Sequence, residues 1–230
     1  MNLHRRLARR LARRLARHQR GQSMVEFCIV VPLFLFLLLL ILQMVLIYRA
    51  KSTLDYATFQ AARTGAVNGA DPKQMRDRLA TGLVPLWTHS PDLGGVAAAG
   101  AKTKSEVLLG HATLEVISPT KQMWNQFRER QYDGRLALPN DTLQYRNRAI
   151  NPQTNVHIQD ANVLRIKAQY DFPLIVPFVD RVIVGASRLL SEGPDTRLRR
   201  DLISGRYRLP LVSSAEVRMQ SPVYEQNNLR

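Results

Sequence analysis

The feature that most constrains this chain is the run from Phe27 to Tyr48, FCIVVPLFLFLLLLILQMVLIY, which holds 22 residues and no charge. Read as a helix at about 1.5 Å per residue, it covers roughly 33 Å, enough to cross a bilayer core of roughly 30 Å. Pro32 falls in its first turns, where lost backbone bonds matter least. Gln43 is the only strongly polar side chain well inside the run. It either hydrogen-bonds to a neighbouring helix or lies near the far interface. Tyr48 and Arg49 close the run as interfacial anchors do. Cys28, the single cysteine, lies within it and reads as a small apolar residue facing lipid or another helix. One cysteine permits no intramolecular disulfide, which neither requires nor excludes export.

Charge orients the span. Residues 1–21 carry eight arginines (Arg5, Arg6, Arg9, Arg10, Arg13, Arg14, Arg17 and Arg20) and no acid, and without them the formal charge of +15 falls to +7. Such a head stays in the cytoplasm while the C-terminal part crosses. A removable secretory signal peptide is the main competitor, but its apolar core is shorter, about 7–15 residues, and ends in a small-residue cleavage site. Tyr48-Arg49-Ala50-Lys51 does not fit that pattern, so a retained signal anchor is expected. Within the head, Leu3, Leu7, Leu11 and Leu15 recur every four residues between arginines. The simplest reading is a topology-setting leader; a segment lying on anionic lipid and a nucleic-acid binder are the alternatives. No aromatic residue interleaves the arginines to form a stacking platform, so nucleic acid is not an expected partner.

Arg20-Gly21-Gln22-Ser23-Met24-Val25-Glu26 joins head to span. An acid at the edge of a membrane span is energetically expensive, which makes Glu26 a candidate functional residue. Glycine five positions before an acid is a weak signal alone; its weight comes from sitting where a purely basic head meets an uncharged span. The arrangement resembles the processing site of type IV pilin-like proteins. That resemblance implies cleavage by a prepilin peptidase between Gly21 and Gln22, a new α-amine at Gln22 that is often methylated, and pairing of Glu26 with this amine on a neighbouring subunit. An unpaired charge in a low-dielectric surrounding is costly, so such pairing selects an axial register.

The similarity extends further. Val25-Glu26-Phe27, Val31-Pro32 and Ala61-Ala62-Arg63 resemble points of the TadE-like proteins, minor pseudopilins of the tight-adherence (Flp-type) pilus, across residues 20–67. Val163 to Pro177 and Leu209 to Val223 resemble the family's soluble strands more weakly. The Arg/Leu head is longer than a short pseudopilin leader, which leaves the leader's own role open. The resemblance implies a bacterial inner-membrane, single-pass protein with a periplasmic C-terminal domain. It also implies involvement in pilus assembly, secretion and cell adhesion, with incorporation in an extracellular pilus as one fate. The implied partners are the prepilin peptidase, other pilins, Tad secretion components and membrane lipid. The candidate processing residues are therefore Gly21 and Gln22, and the candidate assembly residues are Glu26 and Phe27.

Arg49 to Val67 has good helix formers and no proline, so the span is expected to continue as a stalk until Asn68-Gly69. Asp71-Pro72 reads as an N-cap and first-turn proline opening a helix over 72–82. Residues 88–101, rich in Ser, Pro, Gly and Ala, read as a mobile loop. Val107 to Ile117 reads as a strand. Ser118-Pro119 opens a short helix whose Met123, Trp124 and Phe127 form a packed face, and 132–160 reads as mostly loop. Leu164, Ile166, Ala168, Tyr170 and Phe172 alternate with polar residues, as do Leu209, Leu211, Ser213, Ala215, Val217 and Met219. These two strands are expected to share an antiparallel sheet packed against helix. Phe178 to Leu190 reads either as a strand or as a membrane-near apolar segment. Arg197, Arg199, Arg200, Arg206 and Arg208 read as a solvated face or a loop near lipid headgroups, with a partner-docking patch as the alternative.

The expected fold is α+β, a long N-terminal transmembrane and stalk helix followed by a small antiparallel-sheet exported domain. The expected divisions are a basic leader (1–21), the helix (22–67) and the domain (68–230). The histidines are scattered, and no zinc-type spacing, nucleophile elbow or phosphate-binding glycine loop occurs. No catalytic residue, metal or cofactor is therefore expected. The alternative is an uncleaved signal-anchored periplasmic binding or enzyme domain.

Overall fold

The computed structural model describes residues 2–190, 198–201, 205–224 and 229, with side chains described from Ser23 onward except at 187–190 and 199. Helix α1 (Asn2–Val67) is continuous through Pro32 and, at about 1.5 Å per residue, is roughly 99 Å long. It ends where expected. Gly69 takes φ +62°, a left-handed conformation that favours glycine, and the Ala70 N–H returns to the Gly65 carbonyl at 2.8 Å. Ser221 fastens this end from the far terminus of the domain: its hydroxyl accepts the Gly69 N–H at 2.7 Å and donates to the Ala66 carbonyl at 3.0 Å.

Helix α2 (Pro72–Leu83) begins as its sequence requires, with Asp71 accepting the Lys73 N–H at 2.9 Å and proline in the first turn. It folds back onto α1 through Met75, Leu79 and Leu83, all fully buried. The contact is close because Gly82 has no side chain. A Cβ there would lie 2.8 Å from the Ala57 Cα, a distance that backbone must yield to accommodate.

Helix α3 (Leu93–Leu108) corrects the reading of 88–101 as a mobile loop. Asp92 caps it by accepting the Gly95 N–H at 3.3 Å, and four of the small residues that read as loop, Ala97, Ala98, Ala99 and Ala101, are the best helix formers. Ala99, Thr103 and Glu106 form its buried face. The strand expected from Val107 consequently starts later, as β1 (Ala112–Ser118). Helix α4 (Lys121–Phe127) follows; its Trp124 is buried and donates its indole N–H to the Val223 carbonyl at 2.8 Å. The stretch 132–160, read as mostly loop, holds β3 (Leu136–Ala137), which pairs with β2 (Glu129–Arg130) just before it, a 3-10 turn at Leu143–Tyr145 and the start of α5 (Ile158–Ala161).

Strand β4 (Val163–Pro173) is the centre of the main sheet, followed by α6 (Val179–Leu190), β5 (Arg199–Arg200) and β6 (Tyr207–Arg218). Strand order is β1-β4-β6-β5, every pair antiparallel. The register runs Ala112–Tyr170–Leu211, Leu114–Ala168–Ser213 and Val116–Ile166–Ala215, so the alternating residues of all three strands meet on one face. That face is buried under α1 and α2. On the opposite face Arg165 and Glu216 form an exposed ion pair at 2.6 Å. The domain is thus two layers, helix on antiparallel sheet, and one of its core helices is the continuation of the apolar span.

Candidate assembly site on the membrane helix

From Ser23 to Val67, α1 is long and apolar enough to cross a membrane. Its surface changes character along its length. Met24, Val25, Phe27, Ile29, Leu33, Phe34, Leu37, Leu38 and Ile41 are exposed. Ala50, Leu54, Ala57, Ala61, Ala62 and Ala66 are fully buried against the domain. Spacings of three and four put this second set on one face. The opposite face of the stalk presents Tyr48, Tyr56, Phe59 and Val67, all exposed, with Arg63 over the Phe59 ring at 5.9 Å.

The candidate processing and assembly residues lie at the other end. Gly21 and Gln22 fall within the continuous backbone of α1, and their side chains lie outside the described residues. Glu26 and Phe27 are exposed. Gln22 and Glu26 are four residues apart on one helix, hence on the same face and separated by about 6 Å along the axis. All four positions sit far down the helix from the globular domain. Cys28 is exposed as well.

Gln43 is where the span meets the domain. It is fully buried, and its Oε1 accepts the Val176 N–H at 3.0 Å. Neither alternative offered by the sequence describes this bond, because its partner is the backbone of the same chain, 133 residues away.

A buried ionic cluster holds the domain's other corner. Arg208 donates to Glu106 Oε2 at 2.7 Å, to Asp201 Oδ2 at 3.0 and 3.2 Å, and to the Asp171 carbonyl at 3.1 Å. Burial opposes its charge, but the hydrogen bonds and charge of Glu106, then those of Asp201, prevail and hold its pKa above the ordinary arginine value. The adjacent Tyr170 hydroxyl is pushed up, first by burial and then by the negative charge of Glu106. This corrects the reading of Arg208 as part of a solvated or lipid-facing arginine patch. Of the other members, Arg200 and Arg206 are exposed, while Arg197 and the side chain of Arg199 lie outside the described residues. Helix α3 supplies Glu106, and with 88–101 read as loop the cluster had no visible acidic partner from that side.

A membrane-capable helix that enters an α+β domain as part of its core defines a helix-anchored protein, compatible with a single-pass membrane anchor. Within that class, residues 21–63 match the family model of TadE-like proteins, so this segment is TadE-like. The match begins at Gly21, contains Glu26 and Phe27, and ends within the buried stalk. No curated protein and no solved structure gives a significant match.

Proposed function

We propose that this chain is a minor pseudopilin-like membrane protein acting in assembly of a bacterial adhesive Tad/Flp-type pilus, and that a prepilin peptidase cuts it after Gly21. The observation that carries the reading is the position of the TadE-like match, from Gly21 onward, on a helix that exposes large apolar side chains from Met24 to Leu35. In this reading the leader anchors the precursor on the cytoplasmic side of the inner membrane and the domain faces the periplasm. Cleavage removes eight positive charges from the helix end and creates an α-amine at Gln22. Glu26 pairs with that amine on an adjacent pilin. Phe27 and the exposed apolar residues beyond it pack against neighbouring helices or lipid. The role is structural rather than enzymatic, and its partners are other pilins and Tad secretion components.

The test is the N-terminus and intact mass of the protein taken from native membranes, with and without its prepilin peptidase. The expected species begins at Gln22 only when the peptidase is present. A chain beginning at Met1 in both preparations would leave an uncleaved signal anchor, whose function must then reside in the domain. If the N-terminus is as expected, Glu26→Gln is expected to impair incorporation or pilus assembly while leaving cleavage and domain stability unchanged.

A further inference from the structure

Between the central strand β4 and the edge strand β5 the chain leaves the sheet and returns to α1. Leu174 is tied to the sheet, its N–H donating to the Tyr207 carbonyl at 2.9 Å, and Val176 is tied to Gln43. Gln43 lies five residues before Tyr48, so this attachment sits about 7.5 Å inside the end of the apolar run. Phe36, Leu39 and Leu40 are half-buried and continue the Gln43 face still further down, and α6 packs beside α1. A domain that only rested above the bilayer would contact α1 after Tyr48.

The segment brought to this depth is suited to it. From Phe172 to Leu190 the ionisable residues are Asp180, Arg181 and Arg188. Leu174, Val176, Val179 and Val184 are buried, whereas Ile175, Phe178 and Val182 are 50%, 70% and 47% exposed. Phe178 takes φ +67°, an unusual conformation for a bulky residue, at the turn into α6. Phe178, in the turn just before α6, and Val182, in its first turn, are the large exposed apolar residues at this end of the helix. Arg181 is exposed next to them, where a guanidinium can reach lipid phosphate while its stem lies along apolar surface. An apolar surface with a polar flank is the composition of a helix lying in the headgroup–acyl boundary.

We infer that α6 and the turn before it form a second membrane contact, an interfacial helix seated in the domain-side leaflet with Ile175, Phe178 and Val182 toward the acyl chains. The occupant of this face is lipid, because the face is fastened to the span below the span's own end. The contact fixes the depth and rotation of α1 in the bilayer, and it must be released whenever the subunit leaves the membrane. This inference rests on the reading that α1 crosses a bilayer.

The test uses the full chain with Cys28→Ser, reconstituted in phosphatidylethanolamine/phosphatidylglycerol vesicles. Single cysteines at Phe178, Val182, Leu38 and Leu108 carry an environment-sensitive fluorophore. Phe178→Cys and Val182→Cys labels are expected to be quenched several-fold more by lipid bearing a shallow nitroxide than the Leu108→Cys label on the domain surface. The Leu38→Cys label reports a deep nitroxide. Labels at 178 and 182 that behave like Leu108 while Leu38 is quenched overturn the inference and leave the span intact. Labels shielded from aqueous iodide yet unquenched by lipid also overturn it, since a second protein then covers the face. An unquenched Leu38 means that the span reading itself has failed, and the inference falls with it. Tryptophan fluorescence melts of each labelled variant, matched to the parent, confirm that the comparison is made on folded protein.

Discussion

Two stretches of α1 bear apolar faces, but in opposite ways. From Met24 to Val45 most of the large side chains face outward, and between Ala50 and Ala66 the buried face is mainly alanine. The first stretch can only be stable in a medium that accepts apolar surface. The second face is small because a helix core contact must be close: Ala57 lies where Gly82 of α2 crosses, with no room even for a methyl group between them. Residue size, more than hydrophobicity, tells the outward-facing stretch from the domain-facing one.

This contrast can be broken by substitution, with stability followed through the fluorescence of Trp87 and Trp124, the two tryptophans of the chain, both in the domain. The largest effect is expected in the domain's polar corner. Arg208→Ala removes the guanidinium that bridges the buried carboxylates of Glu106 and Asp201, and is expected to destabilise the domain by about 3–5 kcal/mol in chemical denaturation of the detergent-solubilised chain. A melt indistinguishable from the parent would mean the cluster is open to water.

Leu54→Ala comes next. Leu54 is fully buried in the stalk stretch, and its truncation leaves a cavity at the α1–domain contact worth roughly 2–5 kcal/mol. A negligible change would show that the stalk is not part of the core. Gln43→Leu probes the border between the stretches. It removes the acceptor of the buried Val176 N–H, for an expected loss of about 1–3 kcal/mol. Increased hydrogen exchange at Val176, with the strands unaffected, would locate the loss at this joint. The smallest effect belongs to the outward stretch: Leu38→Ala is expected to change domain stability by no more than about 0.5 kcal/mol. A loss as large as that of Leu54→Ala would erase the distinction between the two stretches.

Several elements were legible in the residues themselves because their signals are local. The uncharged run, the Asp71-Pro72 helix start, the Asn68-Gly69 stop and the two alternating strands each need only neighbours a few positions away. Helix α3 was missed because its Gly-Gly and alanine run has few large apolar residues to mark a period, so its composition imitates a loop. The Phe178–Leu190 segment was left between strand and membrane-near stretch because its thirteen apolar-rich residues fit either, and in the fold it is a helix beside α1 with buried and exposed sides.

For the candidate assembly site the division is sharper. Gly21, Gln22, Glu26 and Phe27 were found from a charge boundary and a resemblance, and the fold adds only that Glu26 and Phe27 are exposed on α1, far from their own domain. The sequence by itself determined the helix, its membrane-crossing length and the polarity of its ends, because hydropathy and charge act on each residue independently of the rest of the chain. Tertiary structure alone decided that Arg208 is buried with Glu106, 102 residues away, and that the Gln43 Oε1 accepts the Val176 N–H. Such pairings join partners through the closure of a sheet and the return of a loop, and no local pattern encodes which distant group will arrive.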